Sequence, residues 1–389
     1  MRYSSIVIML VLFLTGCGSD SFEIEERTVL TDVLTLELTF GADEEKLEDE
    51  FLLASPEKTV VVNDAGDIYV LDEMDLNVKV FDKNGEPKII FGGPGQGPGE
   101  FYGATYWQTI SSTGYLLVSG QNWFVVFSPN NKFIKNIRYT NNPVLNRLLE
   151  ENDWRSSSLG TTYVIDDSHF LTSVTTRDNS DESLYPEHEL LVYLKEDNPV
   201  EIARYQSSRI LTSMGLLPVS FRGSLLFNPI HDNSAVYSHS EFDKFEENNR
   251  SFYTLNIISF DNNIKRQITC PYKPVKIPQS QKEEAKRFIP EIPGTEKLIK
   301  EIDKAEYYPP LRKLLVDRDF IFAFTNMKND EEYILTDVLD ASVGKYLVSA
   351  YFPFIPSTIK DGYAYIIGKN DEGFDVVEKY KVSPAVYGK

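Results

Sequence analysis

The sequence is poor in cysteine and in basic residues. The first shortage excludes a disulfide-stabilised fold, and the second excludes nucleic-acid binding. Its two cysteines are Cys17 and Cys270, so no network of disulfides can stabilise the fold and the core depends on packing. Its 39 basic residues are outnumbered by 59 acidic ones, which gives a formal net charge of -20. This charge repels nucleic acids and anionic lipid surfaces, so DNA or RNA binding is excluded.

The local motifs of several common chemistries are also missing. The glycine run Gly92–Gly99 lacks the Gly-Lys-Ser/Thr ending of a phosphate loop, and no amphipathic helix follows it. No Gly-x-Ser-x-Gly nucleophile motif occurs, and the four histidines include no His-x-His pair. No motif therefore assigns a catalytic set of residues.

The sequence begins with an apolar run that is too short to cross a membrane. Ile6–Leu14 falls below the roughly 20 residues that a membrane helix needs. With Arg2 before it and Leu-Thr-Gly-Cys at 14–17 after it, the run has the order of a secretory signal. An ordinary signal peptide with a cysteine near its cleavage site is one interpretation of this order.

The four residues at 14–17 resemble the lipobox of bacterial lipoproteins. The resemblance implies that cleavage leaves Cys17 as an acylated first residue. We therefore expect a signal peptide at 1–16, a lipidated tether at 17–27 and a membrane anchor through Cys17. The resemblance also implies an outer-membrane location, with the periplasmic and cell-surface sides both open.

Aromatic residues are abundant, and they indicate the fold class. They make up 13% of the chain, with 22 Tyr and 24 Phe, which are residues that β-sheets favour. The 389 residues exceed the roughly 250 to 300 at which a single core stops growing. An all-β protein with either two domains or a repeated unit is expected.

Repeated groups of strands decide between these alternatives. Five successive groups of four short strands are separated by turn residues, such as Asp64-Ala65-Gly66 and Lys83-Asn84-Gly85 in the first group. The predicted strands are 59–63, 67–72, 78–82 and 87–91; 107–110, 114–119, 123–128 and 132–139; 163–166, 169–174, 188–195 and 200–205; 224–229, 235–239, 252–260 and 264–270; and 311–316, 320–326, 333–339 and 345–352.

A sixth group has three strands, at 358–360, 363–368 and 374–382. The alternating segment 28–40 has no group of its own and can supply the missing strand. Pairing the first strand with the last group closes a ring and removes exposed sheet edges. The sequence therefore predicts a six-bladed β-propeller of four-stranded antiparallel blades over residues 28–389.

Several of these segments resemble a known repeat. Asp67–Asp72, Val78–Gly85 and Phe91–Phe101 are similar to the repeat of six-bladed propeller lipoproteins common in Bacteroidetes, of the NHL-like or TolB-like type. Tyr308–Pro310 with Leu314–Asp317 is similar to a later blade of that family. The resemblance implies the propeller fold over nearly the whole mature chain. Most members are described only as propeller lipoproteins of unknown role, so it implies no catalytic residue.

The loops of such blades open on two faces. Loops after the second and fourth strands lie on one face, here called the loop-rich face because the long segments fall there. Turns after the first and third strands lie on the other, the short-turn face. The long segments are 139–162, 175–187, 206–223, 240–251 and 271–310. We expect a binding site on the loop-rich face, with helices at about 279–305 as a small lid before blade five.

Two histidines are the candidates for catalysis. His188 and His239 are predicted at strand ends on the loop-rich face of neighbouring blades. They could bind a metal or act as acid and base in a metal-assisted hydrolase or lyase. The alternative is that both are ordinary loop residues, since no acidic cluster accompanies them.

Other residues predicted on the loop-rich face could contact a ligand. Oxygen atoms that could hold Ca²⁺ are carried by Asp72, Asp75, Asn77, Gln121 and Asn122, although exposed turns favour the same residue types. No other cofactor is expected.

Tyr307 and Tyr308 could stack on a sugar or contact a partner. The sequence favours a monomeric, non-enzymatic binding module for an envelope protein, peptide or glycan, with the hydrolase or lyase as the alternative.

Overall fold

The structure, a computed structural model, describes most of the chain after residue 28. The described residues are 29–43, 47–120, 123–138, 143–178, 188–195, 198–213, 215–231, 233–261 and 264–389. The predicted signal peptide, tether and Cys17 lie outside them, as do Gln121 and Asn122. Within these ranges no helix has the length and apolar character needed to cross a membrane.

The first half of the ring begins with two strands that precede blade one, β1 (Val29–Leu30) and β2 (Leu34–Phe40), and a short 3-10 turn at Asp49–Phe51. Blade one contains β3–β6, at Pro56–Val62, Ile68–Asp72, Asn77–Phe81 and Pro87–Gly92. Blade two contains β7–β10, at Thr105–Ile110, Leu116–Gly120, Trp123–Phe127 and Phe133–Arg138. Helix α1 (Pro143–Glu151) leads to blade three, with β11–β14 at Trp154–Val164, His169–Asp178, His188–Lys195 and Asn198–Gln206.

The second half starts with a separate hairpin, β15 (Arg209–Thr212) and β16 (Gly215–Pro218). Blade four contains β17–β21, at Leu225–Ile230, Ser234–His239, Lys244–Glu247, Arg250–Ser259 and Lys265–Tyr272. Helices α2 (Gln279–Arg287) and α3 (Thr295–Lys304) follow. Blade five contains β22–β25, at Leu311–Asp317, Phe320–Lys328, Ile334–Asp340 and Lys345–Phe352. Blade six contains β26–β28, at Thr358–Lys360, Tyr363–Lys369 and Asp375–Val382, and a 3-10 turn at Pro384–Tyr387 follows.

The ring closes through the N-terminal strand, as predicted. β2 pairs antiparallel with β28, from Leu34 opposite Val382 to Phe40 opposite Val377, and so becomes the outer strand of blade six. The predicted single strand 28–40 is divided, however. β1 pairs in parallel with β25 of blade five, and Asp32 then takes a φ of 53° where the chain crosses to blade six. The N-terminal segment therefore joins two blades.

The hydrophobic core is divided among the blade interfaces. Six clusters of buried side chains occur, and each contains residues from two neighbouring blades. The cluster between blades one and two, for example, brings Tyr69 and Val78 against Leu116 and Val125. The middle strands are buried on both sides, so β4 and β8 have no exposed residue. A blade can bury both of its surfaces only when the ring supplies two neighbours.

Several predicted long loops contain regular structure. The segment 139–162 holds α1, whose Leu145, Leu148 and Leu149 pack between blades two and three, and the first half of β11. The segment 206–223 holds the β15–β16 hairpin, and 240–251 holds β19. The predicted helical insertion before blade five is confirmed as α2 and α3. Helix α1 corrects the prediction of a loop over 139–162, and the spacing of its three leucines is a helical signal.

Closure through β2 gives a testable consequence for stability. The Phe40 ring is buried and its centroid lies 4.8 Å from that of Phe81 in blade one. We expect Phe40→Ala to lower the free energy of unfolding by about 3–4 kcal/mol because it leaves a cavity in the closing interface. Leu36→Ala, on the same strand but half exposed, should cost less than about 0.5 kcal/mol. Denaturant unfolding of both variants is the measurement, and equal small losses would contradict closure through β2.

Candidate functional site

A cavity of about 660 Å³ lies on the ring axis. All six innermost strands contribute to its wall, namely β3, β7, β11, β17, β22 and β26. Its lining also includes residues of the turns that follow these strands, such as Asp64, Ser112 and Arg318. Those turns belong to the short-turn face, so the cavity extends from the middle of the ring to that face.

Polar side chains join the innermost strands of neighbouring blades around this cavity. These strands share no sheet, so their alignment depends on side chains that donate to main-chain carbonyls of the next blade. The bonds are Gln108 Nε2 to Thr59 O (2.7 Å), Thr109 Oγ1 to Thr162 O (3.1 Å), Asn228 Nδ2 to Leu314 O (3.4 Å) and Lys313 Nζ to Pro356 O (2.7 Å). Three of the four donors are uncharged and Lys313 is the exception.

Lys313 is the chemically distinctive residue of the cavity wall. Its ammonium donates to the carbonyls of Pro356 (2.7 Å) and Ser357 (3.3 Å). No described carboxylate pairs with it, and burial alone lowers the pKa of this amine from its ordinary 10.5 to about 8. A half-buried amine with a lowered pKa, inside a cavity, is the kind of group found at functional sites.

The mouth of the cavity carries ion pairs that join adjacent blades. Arg318 lies 2.8 Å from Asp361, which links blade five to blade six, and Lys360 pairs with Asp64, which links blade six to blade one. His231 Nε2 lies 3.1 Å from Asp319 Oδ1 between blades four and five. These pairs are largely exposed, so each adds at most about 1 kcal/mol to stability. The other cations of the cavity lining thus have acidic partners, whereas Lys313 has none among the described residues.

Further polar atoms of the wall lack partners. Thr59 Oγ1 and Trp107 Nε1 are buried and have no hydrogen-bond partner within the described part of the chain. The Tyr163 hydroxyl accepts a bond of 3.3 Å from Asn228 Nδ2, and burial raises the pKa of this phenol to about 12, so it stays protonated. Buried donors without partners are uncommon in folded proteins. The wall is therefore rich in hydrogen-bond donors.

The two candidate catalytic histidines do not meet. The His188 ring lies tilted against Trp154, with 5.4 Å between the ring centroids, in the interface between blades two and three. The next residue, Glu189, projects from the other side of the blade towards His239, whose Nε2 lies 3.3 Å from Glu189 Oε2 but out of line for a hydrogen bond. Blade three therefore separates the two imidazoles. His239 is fully buried and its Nδ1 accepts from Glu241 N.

The candidate Ca²⁺ ligands of blade one surround a lysine. Lys79 Nζ lies 3.2 Å from Asp72 Oδ2 and 2.6 Å from Asp75 Oδ2. Asp72 is fully buried and also accepts from the main-chain nitrogens of Ala54 and Ser55. The Lys79 ammonium therefore balances these carboxylates in the structure. No cluster of three or more His, Cys, Asp or Glu with metal-binding geometry occurs in the described ranges.

The remaining candidate Ca²⁺ ligand that the structure describes is Asn77, the first residue of β5. Its Oδ1 is buried and finds no hydrogen-bond partner among the residues that the structure describes. Gln121 and Asn122 are the two candidates that lie outside the described residues. Binding of Ca²⁺ at this position stays a prediction.

The candidate aromatic residues lie beside the helical insertion. Tyr307 is 48% exposed, whereas the Tyr308 hydroxyl donates to Gln281 of α2 and the Tyr308 ring packs edge-on against Phe221. Burial raises the pKa of Tyr308. Neither residue lines the central cavity, and the same holds for the described histidine and Ca²⁺ candidates. The predicted residues therefore form no joint site with the cavity.

Lys313 was missed because it follows the pattern of an ordinary strand. It lies in Leu-Arg-Lys-Leu-Leu-Val-Asp, between the buried Leu311 and Leu314. The available signal is a lysine in the first strand of a blade, at a position where side chains point to the ring axis. Only the assembled ring shows that this position is enclosed.

The comparisons with known proteins agree with this architecture. The chain is a six-bladed β-propeller, as the resemblance implied, and residues 46–180 match the model of a family described as 6-bladed beta-propeller. The match covers blades one and two and part of blade three. No curated protein matches the sequence.

Solved structures with similar folds share little sequence with this chain. A protein from Bacteroides fragilis inferred to be exported is 12% identical, with a TM-score of 0.47 over 91% of this chain and 98% of its own. A member of the DUF4221 family from Bacteroides vulgatus is 13% identical, with a TM-score of 0.47 over 90% and 98%. A virginiamycin B lyase from Staphylococcus aureus is 10% identical, with a TM-score of 0.39 over 90% and 99%. These likenesses are too distant to carry a functional argument.

The buried amine gives a pH dependence of definite sign. Folded Lys313 releases its proton above about pH 8, whereas the unfolded chain holds it to about pH 10.5, so stability rises with pH between these values. Between pH 8 and pH 10.5, we expect the free energy of unfolding of the parent protein to rise relative to that of Lys313→Met by up to about 3 kcal/mol. Urea unfolding of both proteins at the two ends of the window is the measurement. A constant difference between them would contradict the lowered pKa.

Proposed function

We propose that this protein is a non-enzymatic binding propeller of the cell envelope that takes a ligand into its central cavity from the short-turn face. The cavity is the observation that carries the proposal. Its volume of about 660 Å³ is in the range of small-molecule sites, and all six blades form its wall. Because the ring is closed by β2, the wall is held in place before any ligand arrives.

The envelope location rests on the sequence. The lipobox-like residues at 14–17 and the proposed lipid on Cys17 would anchor the protein in the outer membrane, on either side of it. β1 and β2 both run from the short-turn side towards the loop-rich side, since β1 is parallel to β25 and β2 antiparallel to β28. The tether would therefore join the ring on its short-turn side, and an anchored molecule would turn its loop-rich face away from the membrane.

Exposed aromatic side chains favour the loop-rich face as a second surface. Phe288 is 82% exposed, Tyr307 48% and Phe245 44%, on the helical insertion and on the β19 segment of blade four. Such residues suit contact with an envelope protein, peptide or glycan. This is the partner class that the sequence favours.

The metal-assisted hydrolase or lyase has less support. Its two histidines, His188 and His239, lie on opposite sides of blade three. General acid and base catalysis requires both groups within reach of one substrate. Binding in the cavity needs no such pair.

The test is a ligand search with matched variants. The chain lacking only its signal peptide and carrying Cys17→Ser would be screened against small molecules by thermal shift. The protein purified from membranes would be examined by native mass spectrometry for a ligand that it already carries. Thr161 is exposed and lines the cavity, so Thr161→Trp should fill it and abolish the shift, whereas Thr161→Val should not.

The loop-rich face supplies the control for this search. Phe288→Ala with Tyr307→Ala should leave cavity binding unchanged, because neither residue lines the cavity. Loss of binding in this double variant and retention in Thr161→Trp would move the site to the loop-rich face. Absence of any ligand in both experiments would contradict the proposal.

A further inference from the structure

We propose that Lys313 anchors the carboxylate of a small organic acid bound in the central cavity. The inference rests on the proposed binding function and adds the chemical class of the ligand. It is carried by the position of the amine, by its lack of an acidic partner and by the rest of the cavity wall.

The geometry leaves one donor of Lys313 for a ligand. An ammonium group has three N–H bonds, and the carbonyls of Pro356 and Ser357 accept two of them at 2.7 and 3.3 Å. Lys313 belongs to the cavity lining, in the inner half of β22 rather than at the mouth. A ligand that enters between the turns of the short-turn face therefore reaches it at the inner end.

A structural link between blades five and six does not by itself need a charge. Gln108, Thr109 and Asn228 make equivalent links with neutral amide or hydroxyl donors. A half-buried lysine whose ammonium has no acidic partner loses solvation without compensation, whereas an amide at that position would avoid this cost. The positive charge at this one link is therefore explained by a ligand that supplies the missing negative charge.

The charges of the lining favour a single carboxylate. Arg318 and Lys360 are each paired with an aspartate at the mouth, which leaves Lys313 as the one cation of the described lining without an acidic partner. His231 is paired with Asp319, and Tyr163 remains neutral because its pKa is raised. With one free positive charge inside a protein of net charge -20, a dianion such as phosphate would be poorly compensated. A monocarboxylate matches the available charge.

The rest of the wall suits the carbon skeleton of such an acid. Val61, Trp107, Ile110 and Val316 line the cavity, are only partly buried and offer apolar surface. The Tyr163 hydroxyl lies in the same wall and can donate to an oxygen atom. The ligand class is therefore an aliphatic or aromatic monocarboxylic acid of small-molecule size.

The test compares acids with their uncharged amides by isothermal titration calorimetry. The probes are hexanoate, benzoate and phenylacetate, each with its amide, and the protein is the chain without its signal peptide carrying Cys17→Ser. We expect the acids to bind about tenfold or more tightly than the amides, since a charge-assisted bond replaces a neutral one. Acid binding should weaken as the amine loses its proton above about pH 8.

Two variants separate the charge of Lys313 from its structural link. Lys313→Gln keeps an amide donor for the blade-six carbonyls and should lose the preference for acids over amides. Lys265→Met is the matched control, because Lys265 Nζ also donates to a carbonyl of the next blade, Ile202 O at 2.8 Å, outside the cavity. It should bind acids like the parent protein, with the same pH profile.

Each outcome decides between the two proposals. If acids and amides bind equally and Thr161→Trp abolishes both, the cavity binds ligands but Lys313 is no carboxylate anchor. Unchanged acid preference in Lys313→Gln overturns the anchor in the same way. If no probe binds in a manner sensitive to Thr161→Trp, the anchor fails, whereas the cavity function fails only if the wider ligand search also finds no ligand.

Discussion

The structure depends on the burial of both surfaces of every blade against its two neighbours. A twisted four-stranded sheet cannot cover its own apolar surfaces, and the protein has no disulfide network that could compensate. The hydrophobic residues therefore form six clusters, one at each interface, instead of one central core. The closing interface has the same importance as the other five, and for that reason the position of Phe40 in β2 matters as much as any core residue.

The same constraint creates the central cavity. Blades arranged around an axis cannot meet on it, and their innermost strands share no ladder of hydrogen bonds. Side chains take over the linking of these strands, with amide and hydroxyl donors at three links and the Lys313 amine at a fourth. A group that the fold uses to align two blades thus also lies in the wall of the central cavity. This overlap of structural and binding roles connects the architecture to the proposed ligand.

Strand positions were predictable because they depend on local signals. Turn residues such as those at 64–66 and 83–85 mark the hairpins, and the three-strand group at 358–382 indicates a vacancy that β2 fills. Helix α1 also has a local signal in Leu145, Leu148 and Leu149, although the segment was assigned to a loop. The division of 28–40 between two blades had no such signal, since the alternation of apolar residues continues across Asp32.

Local patterns predict the number of blades, the closure through the N-terminal strand and the helical insertion, because turns, alternation and helical spacing are properties of neighbouring residues. Which distant residues meet is set by the assembled ring, which places His188 and His239 on opposite sides of blade three and encloses Lys313 in a cavity on the short-turn face. The physical reason is that burial and charge compensation depend on blades far apart in sequence, and these are set when the ring closes.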